Sequence, residues 1–205
     1  MTKLFYNAIN RSSLANEMRV LLGDLRFLGI HQQYQNCCLF MSSLLCEILR
    51  ARGYQARIQA CYAVIDRSDQ RFLLGYKGYA KPGQIEGHVV CIVEESYLID
   101  FATGNVRKYF DPRFKQAFAC AIEKKENLLA QVNLQNGTQI HWHEDLQALY
   151  IEAAIDHQTA ALQQVLIEYF QYKKAPLRHC LRRAFHALQL QNRSARSPHL
   201  SSSLN

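Results

Sequence analysis

The chain has 205 residues, of which 49% are hydrophobic and 20% charged, and it carries a formal net charge of +7 at pH 7. This composition supplies enough apolar surface for a core and excludes a chain that is disordered throughout. The length is typical of one domain with a modest appendage. The charge is unevenly placed, because no acidic residue follows Glu168 and the 17 basic residues of the preceding chain balance the 17 acidic ones. The excess consists of seven cations near the C-terminus: Lys173, Lys174, Arg178, Arg182, Arg183, Arg193 and Arg196.

The basic end, residues 173–205, is the part of the chain suited to an acidic partner or a nucleic acid. No aromatic interleaving or binding motif accompanies its charges, so a solvated helix face followed by a loose end is the simpler interpretation. The charge therefore indicates nothing about chemistry elsewhere in the chain.

The cysteine content and the N-terminus indicate a cellular compartment. The seven cysteines are an odd number and include no Cys-x-x-Cys pair. Residues 1–7 lack the apolar core of a signal peptide. No stretch approaches the roughly 18 apolar residues of a membrane span. We expect a cytoplasmic protein with reduced thiols and no membrane span.

The first predicted helix covers residues 12–28. Leu14, Met18 and Leu25 recur at helical spacing, and Gly29 ends the pattern. A serine at its start is suited to capping the first turn. The candidate caps are Ser12 and Ser13.

The second predicted helix begins at Cys38 and continues to Arg52. Ser42 and Leu45 lie on one stripe with Cys38, and Gly53 supplies a left-handed stop. A thiol at a helix N-terminus is favoured as thiolate by the partial positive charge of the helix end. Cys38 is therefore a candidate nucleophile, with Cys37 as the alternative.

Strands are predicted next, with a histidine entering one and an aspartate ending another. His88 and Asp100 are the candidate base and orienting carboxylate for the thiol. Both have even numbers, so they share a face of a hairpin only if its loop, around residues 94–96, holds an odd number of residues. The predicted strands are 56–65, 72–76, 89–93 and 97–101, with a loop at 77–86 that is suited to forming the rim of a site.

The second half of the chain is predicted to be mostly helical. Asp111 and Pro112 have the form of a helix cap and first turn, which predicts a helix to Lys125. Asn136-Gly137 predicts a two-residue hairpin turn between strands 130–134 and 138–142. A long helix over 144–172, a shorter basic helix from Pro176 and a disordered, Ser-rich basic tail over 191–205 complete the prediction.

Other candidate groups carry weaker signals. The backbone N–H of Cys38 is suited to an oxyanion hole, with a second donor from Gln32, Gln33 or Tyr34. His141 and His143 share a strand face, but no third ligand is marked, so we predict no metal and no cofactor. The remaining cysteines, in apolar contexts, are expected to fill the core: Cys46, Cys61, Cys91, Cys120 and Cys180.

The segment 38–57 resembles the nucleophile helix of the transglutaminase-like superfamily, within the papain-like group. That family places a glycine after the helix that its cysteine opens, then a small residue and an arginine entering a strand, as do Gly53, Ala56 and Arg57. Residues 88–94 are similar to the family's His-Ala-Trp-Val-Glu strand, and residues 100–105 to its Asp-Pro-Thr-Gly strand end. The departures are Val89, Val90 and Phe101, in place of Ala, Trp and Pro.

The resemblance covers about residues 33–106 and implies an α+β fold with a papain-like core, in which the nucleophile helix packs on an antiparallel sheet. We expect one domain over 1–190, with extra C-terminal helices in a part spanning 111–190. The implied function is a cysteine-dependent peptidase, amidase or transamidase, a hydrolase or acyltransferase that uses a catalytic triad and a thioester on a peptide or protein substrate.

Two alternatives remain open at this point. One is a non-catalytic binding module on the same fold that uses the basic helix. The other is a peptide-maturation protease that works with a partner protein, as several bacterial members of the group do.

Overall fold

The computed structural model describes residues 5–9, 11–76, 87–123, 125–145 and 149–176. The helices in these ranges are α1 (Ser12–Phe27), α2 (Ile30–Tyr34), α3 (Cys38–Arg50), α4 (Gly104–Tyr109) and α5 (Leu149–Lys174). The strands are β1 (Phe5–Asn7), β2 (Ala56–Arg67), β3 (Gln70–Leu74), β4 (His88–Val93), β5 (Tyr97–Asp100), β6 (Ala117–Ala121), β7 (Leu128–Asn133) and β8 (Gln139–Glu144).

The eight strands form one curled sheet in the order β1-β6-β5-β4-β2-β8-β7, with β3 paired to β2. Every pairing is antiparallel except that of β1 with β6. The α+β class expected from the sequence is confirmed. The chain divides into two compact units, residues 1–166 and 167–205, and the sheet and α1–α4 belong to the first unit.

Strand β4 lies in the middle of this arrangement, and all six of its residues are buried. Helix α3 covers one of its faces, where Ser42 Oγ donates to the Val89 carbonyl at 2.8 Å and Cys46 Sγ lies 3.2 Å from Cys91 Sγ. The opposite face, with Val90 and Ile92, packs into the apolar core. A strand that is buried on both faces typically has a continuous run of apolar residues, as β4 has at residues 89–93.

The position of α3 follows from its apolar face and from its end. Met41, Leu44 and Ile48 are fully buried, and burying each such side chain stabilises the fold by about 1.5–3 kcal/mol. Gly53, with φ of +87°, reverses the chain after the helix, and Tyr54 N–H donates to the Leu49 carbonyl at 3.1 Å. The predicted helix and its glycine stop are confirmed.

Two predictions about local structure are wrong in detail. The N-cap of α1 is Arg11, which makes no side-chain cap bond, rather than a serine. The hairpin between β7 and β8 is confirmed, but its turn has three residues, 135–137. Gly137 N–H donates to the Leu134 carbonyl at 3.0 Å, and a φ of +77° at Gly137 closes the turn with a bulge.

The helix predicted from Asp111 to Lys125 is absent from the described residues, which place a turn and strand β6 there. Asp111 Oδ1 accepts from Arg113 N–H at 2.8 Å and closes a short local turn instead of capping a helix. The apolar run of β6 then pairs with β5 and β1. The part of the chain expected to be helical from residue 111 therefore holds three strands, β6 to β8, before α5 begins at Leu149.

Some predictions fall outside the described residues and stay predictions. These are the loop at 77–86, the basic helix beyond Pro176, the tail at 191–205 and Cys180. Among the described helices, none combines the length and the apolar character that crossing a membrane requires.

Candidate active site

His88 and Asp100 face each other across the β4–β5 hairpin. Val93 pairs with Tyr97, so the loop between them holds three residues, 94–96, an odd number. His88 and Asp100 therefore lie on the same face of the hairpin, as an odd-numbered loop requires. His88 Nε2 donates to Asp100 Oδ2 at 2.8 Å, and each residue is only 1% exposed.

Cys38 is the second polar partner of the His88 ring. It opens α3, is half-buried and packs beside Val89 and Leu39. Its thiol is close enough to the imidazole to help raise the pKa of His88. Because Nε2 is bound to Asp100, Nδ1 is the ring nitrogen left for the thiol. The three residues selected from the sequence thus lie in one chain of contacts, Cys38–His88–Asp100.

Cys37 is less suited to the nucleophile position. It is the surface residue that precedes α3. The protein around it still excludes enough water to raise the pKa of its thiol, and the neighbouring Cys38 raises it further. A raised pKa disfavours the reactive thiolate.

The electrostatics of the pair follow from burial and mutual attraction. Burial lowers the pKa of His88, but the charge and hydrogen bond of Asp100, followed by Cys38, raise it to about 10. Burial raises the pKa of Asp100, but the charge and hydrogen bond of His88 outweigh it, so that pKa is lowered. At neutral pH the pair is an imidazolium and a carboxylate, and the positive ring lies beside the Cys38 thiol.

Two further groups hold the Asp100 carboxylate. Ala102 N–H donates to Oδ1 at 2.9 Å, and Trp142 Nε1–H donates to Oδ2 at 3.1 Å. Trp142 was not among the residues predicted from the sequence, although it lies between His141 and His143. The alternation along β8 was the available signal, since it turns Trp142 toward the core while His141 and His143 face the other way.

Gly104, which follows β5, lies in close contact with the segment before α3. Its N–H donates to the Gln35 carbonyl at 3.0 Å. A Cβ at Gly104 would lie 2.8 Å from that carbonyl oxygen and would overlap Asn36 Oδ1. Only a residue without a side chain lets the approach to Cys38 pack this closely on the chain that follows Asp100.

Gly75 makes a similar close approach to His88. It follows β3 with a φ of +73°, and a Cβ there would lie 2.6 Å from His88 Cβ and would overlap the His88 backbone nitrogen. The start of β4 is thus fixed against the end of β3. Glycine has no reactive side chain, so no motif in the sequence indicates either contact.

The candidate oxyanion donors are the Cys38 N–H and three residues shortly before Cys38 in the chain. Cys38 is the first residue of α3, so its N–H has no carbonyl partner within the helix. Gln32 Nε2 donates to the Arg26 carbonyl at 3.2 Å, Gln33 Nε2 donates to Tyr34 Oη at 3.0 Å, and the Tyr34 ring stacks on Phe40 at 3.9 Å between centroids. The second donor stays a prediction.

Four other cysteines fill the core, as expected: Cys46, Cys61, Cys91 and Cys120. Burial raises the pKa of the Cys61 thiol well above its ordinary value and that of Cys120 to about 12. The rings of His141 and His143 lie 6.3 Å apart. The described residues contain no group of three or more potential metal ligands.

Comparison of the chain with protein-family models, with curated proteins and with solved structures found no match. The geometry of the Cys38–His88–Asp100 group is therefore the basis for assigning a function.

The charge state of His88 depends on Asp100, which gives a testable prediction. We expect the wild-type ring to stay protonated up to about pH 10. In Asp100→Asn the attraction is lost while burial remains, so the pKa of His88 falls below its ordinary value of 6.5. A histidine-selective NMR titration measures both values. Asp111→Asn, which removes a buried carboxylate elsewhere, is the matched control, and a wild-type ring that titrates near 6.5 would contradict the ion pair.

The close packing at Gly104 gives a second prediction. Gly104→Ala forces apart the segment before α3 and the start of α4, which we expect to lower the free energy of unfolding by about 1–3 kcal/mol. It should also slow alkylation of Cys38, because the thiol moves away from the ring. Chemical denaturation and mass spectrometry of the labelled protein give the two values. Lys108→Ala, on the exposed side of the same helix, should change neither value, and an equally stable and equally reactive Gly104→Ala protein would refute the packing argument.

Proposed function

We propose that this protein is a cysteine-dependent acyl-transfer enzyme, in which Cys38 is the nucleophile, His88 the general acid and base, and Asp100 the orienting carboxylate. The observation that carries the proposal is the buried His88–Asp100 pair, joined by a hydrogen bond of 2.8 Å, with the half-buried Cys38 thiol interacting with the same ring. The transglutaminase-like resemblance of residues 33–106 and the antiparallel sheet against α3 support the same assignment.

A purely structural role accounts poorly for this group. Two charges taken out of water cost several kcal/mol each before their attraction is counted, and apolar residues of similar size fill a core at less cost. The raised pKa of His88 and the lowered pKa of Asp100 are of the kind that clusters at functional sites. The remaining ring nitrogen also meets a thiol, the group that an imidazolium activates.

The proposed first half-reaction transfers the acyl group to the enzyme. The Cys38 sulfur attacks the acyl carbon, a C–S bond forms, and the carbonyl electrons move to oxygen. The Cys38 backbone N–H stabilises this oxyanion, and one such donor typically contributes about 10²–10³-fold in rate. His88 then gives its proton to the leaving amine as the C–N bond breaks, which leaves a thioester on Cys38 and a neutral imidazole.

The second half-reaction returns the enzyme to its starting state. His88 takes a proton from the attacking water or amine, which adds to the thioester carbonyl. The C–S bond breaks, Cys38 leaves as thiolate, and the imidazolium is restored beside it. The same residues thus serve a peptidase, an amidase or a transamidase, and the substrate class is a peptide or protein with an amide or another transferable acyl group.

Alkylation of the thiols tests the proposal directly. With iodoacetamide at pH 6, we expect Cys38 to react at least about ten-fold faster than Cys37, because the imidazolium favours the Cys38 thiolate. His88→Asn should remove this advantage. The labelled peptide is quantified by mass spectrometry against time.

Cys37→Ser and Cys38→Ser are the matched pair of controls, since they remove adjacent thiols from the same turn. The fast label should survive the first substitution and disappear with the second. A Cys38 thiol that labels no faster than Cys37, or a rate unchanged in His88→Asn, would rule out the proposed nucleophile.

A further inference from the structure

We propose that Trp142 is a positioning residue of this site, whose indole N–H fixes the Asp100 carboxylate and, through it, the orientation of the His88 ring. This inference rests on the proposed function and adds a fourth residue to the group. Trp142 lies on β8, two strands away from β4 in the sheet, so it couples a separate hairpin to the reacting residues.

The hydrogen bonds leave the carboxylate a single orientation. Oδ2 accepts from both His88 Nε2 at 2.8 Å and Trp142 Nε1 at 3.1 Å, while Oδ1 accepts from Ala102 N–H at 2.9 Å. Rotation of the carboxylate would break bonds at both oxygens. Because an indole N–H only donates, Trp142 requires an acceptor at this place and Asp100 supplies it.

The indole is as firmly held as the carboxylate. Trp142 is 1% exposed and its ring meets Phe118 edge-on, with 5.6 Å between the ring centroids. Its backbone pairs with Ala63 on one side and Ala130 on the other, so small residues flank it and leave room for the ring. A donor fixed in this way holds Asp100 in place.

The consequence concerns the direction of the His88 ring. An imidazole that donates from Nε2 to a fixed oxygen keeps one orientation, which leaves Nδ1 as the ring nitrogen for Cys38. If the indole N–H is removed, Asp100 keeps one backbone donor on Oδ1 and gains freedom at Oδ2. The ring then loses its alignment with the thiol. A misplacement of about 1 Å at a reacting group can lower a reaction rate by about 10²-fold.

Two variants separate the N–H from the shape of the ring. Trp142→Phe keeps an aromatic ring but removes the donor. Trp142 is the chain's single tryptophan, so biosynthetic replacement of tryptophan by 3-benzothienylalanine changes only this residue and exchanges N–H for sulfur at nearly unchanged shape. Both variants are made in a Cys37→Ser background, and Cys38 is alkylated with iodoacetamide from about pH 3 to about pH 9. Ordinary carboxyl and thiol pKa values are about 4 and about 8.5, and the pKa of Asp100 is lowered.

We expect both variants to slow Cys38 alkylation on the order of ten-fold at neutral pH. We also expect the acid limb of the rate profile to move to higher pH, because Asp100 loses a donor that favours its ionised form. In the wild type, the single indole N–H resonance in a proton–nitrogen NMR spectrum should shift when Asp100 is replaced by Ala. Reintroducing tryptophan in place of the analogue restores the rate.

The outcomes distinguish this role from the proposed function. A lower melting temperature with an unchanged acid limb and an unchanged rate would mean that Trp142 only packs the core, and it would overturn the inference alone. Slow alkylation of Cys38 already in the wild type would overturn the proposed function and this role of Trp142 together. If Trp142→Phe fails to fold, the benzothienylalanine protein decides the question.

Discussion

The hydrogen bond between His88 Nε2 and Asp100 Oδ2 joins two charges that the fold removes from water, and the arrangement of the sheet around it serves to keep them paired. Losing one partner would leave the other buried without its counter-charge, at a cost of about 3–5 kcal/mol. The three-residue loop after β4 sets the register that brings the two side chains to one face. A loop shorter or longer by one residue would turn Asp100 away from His88 and leave both without a partner.

The thiol reaches this pair because backbone segments approach one another closely. The chain before α3 packs against Gly104, which follows Asp100, and the start of β4 packs against Gly75. On the face of β4 that α3 covers, the Ser42 hydroxyl donates to the Val89 carbonyl and so anchors the helix that carries Cys38 to the strand that carries His88. Cys38, His88 and Asp100 thus come from three elements whose relative positions are fixed by main-chain contacts rather than by long, adaptable side chains.

The sequence predicted the parts of this site that depend on local pattern. The helix that begins at Cys38 has a helical periodicity and a glycine stop, and the strand that begins at His88 is a run of apolar residues. The parity of the two residue numbers required an odd-numbered hairpin loop for His88 and Asp100 to share a face. The strand at 117–121 was mistaken for a helix, because an Asp-Pro pair begins a turn as readily as a helix and a short apolar run has no decisive period. Trp142 and Gly75 were missed because their roles arise from contacts between distant segments, which no local pattern contains.

If Cys38 forms a thioester with the help of His88, that thioester can be trapped. The protein is mixed with p-nitrophenyl acetate, quenched in acid at successive times and weighed intact by mass spectrometry, with the site assigned by peptide mapping. We expect one acetyl group to appear early on Cys38 and then to be removed, and we expect both steps to be much slower in His88→Asn. Acetylation spread over lysines, or a Cys38 adduct formed equally fast without His88, would contradict this expectation.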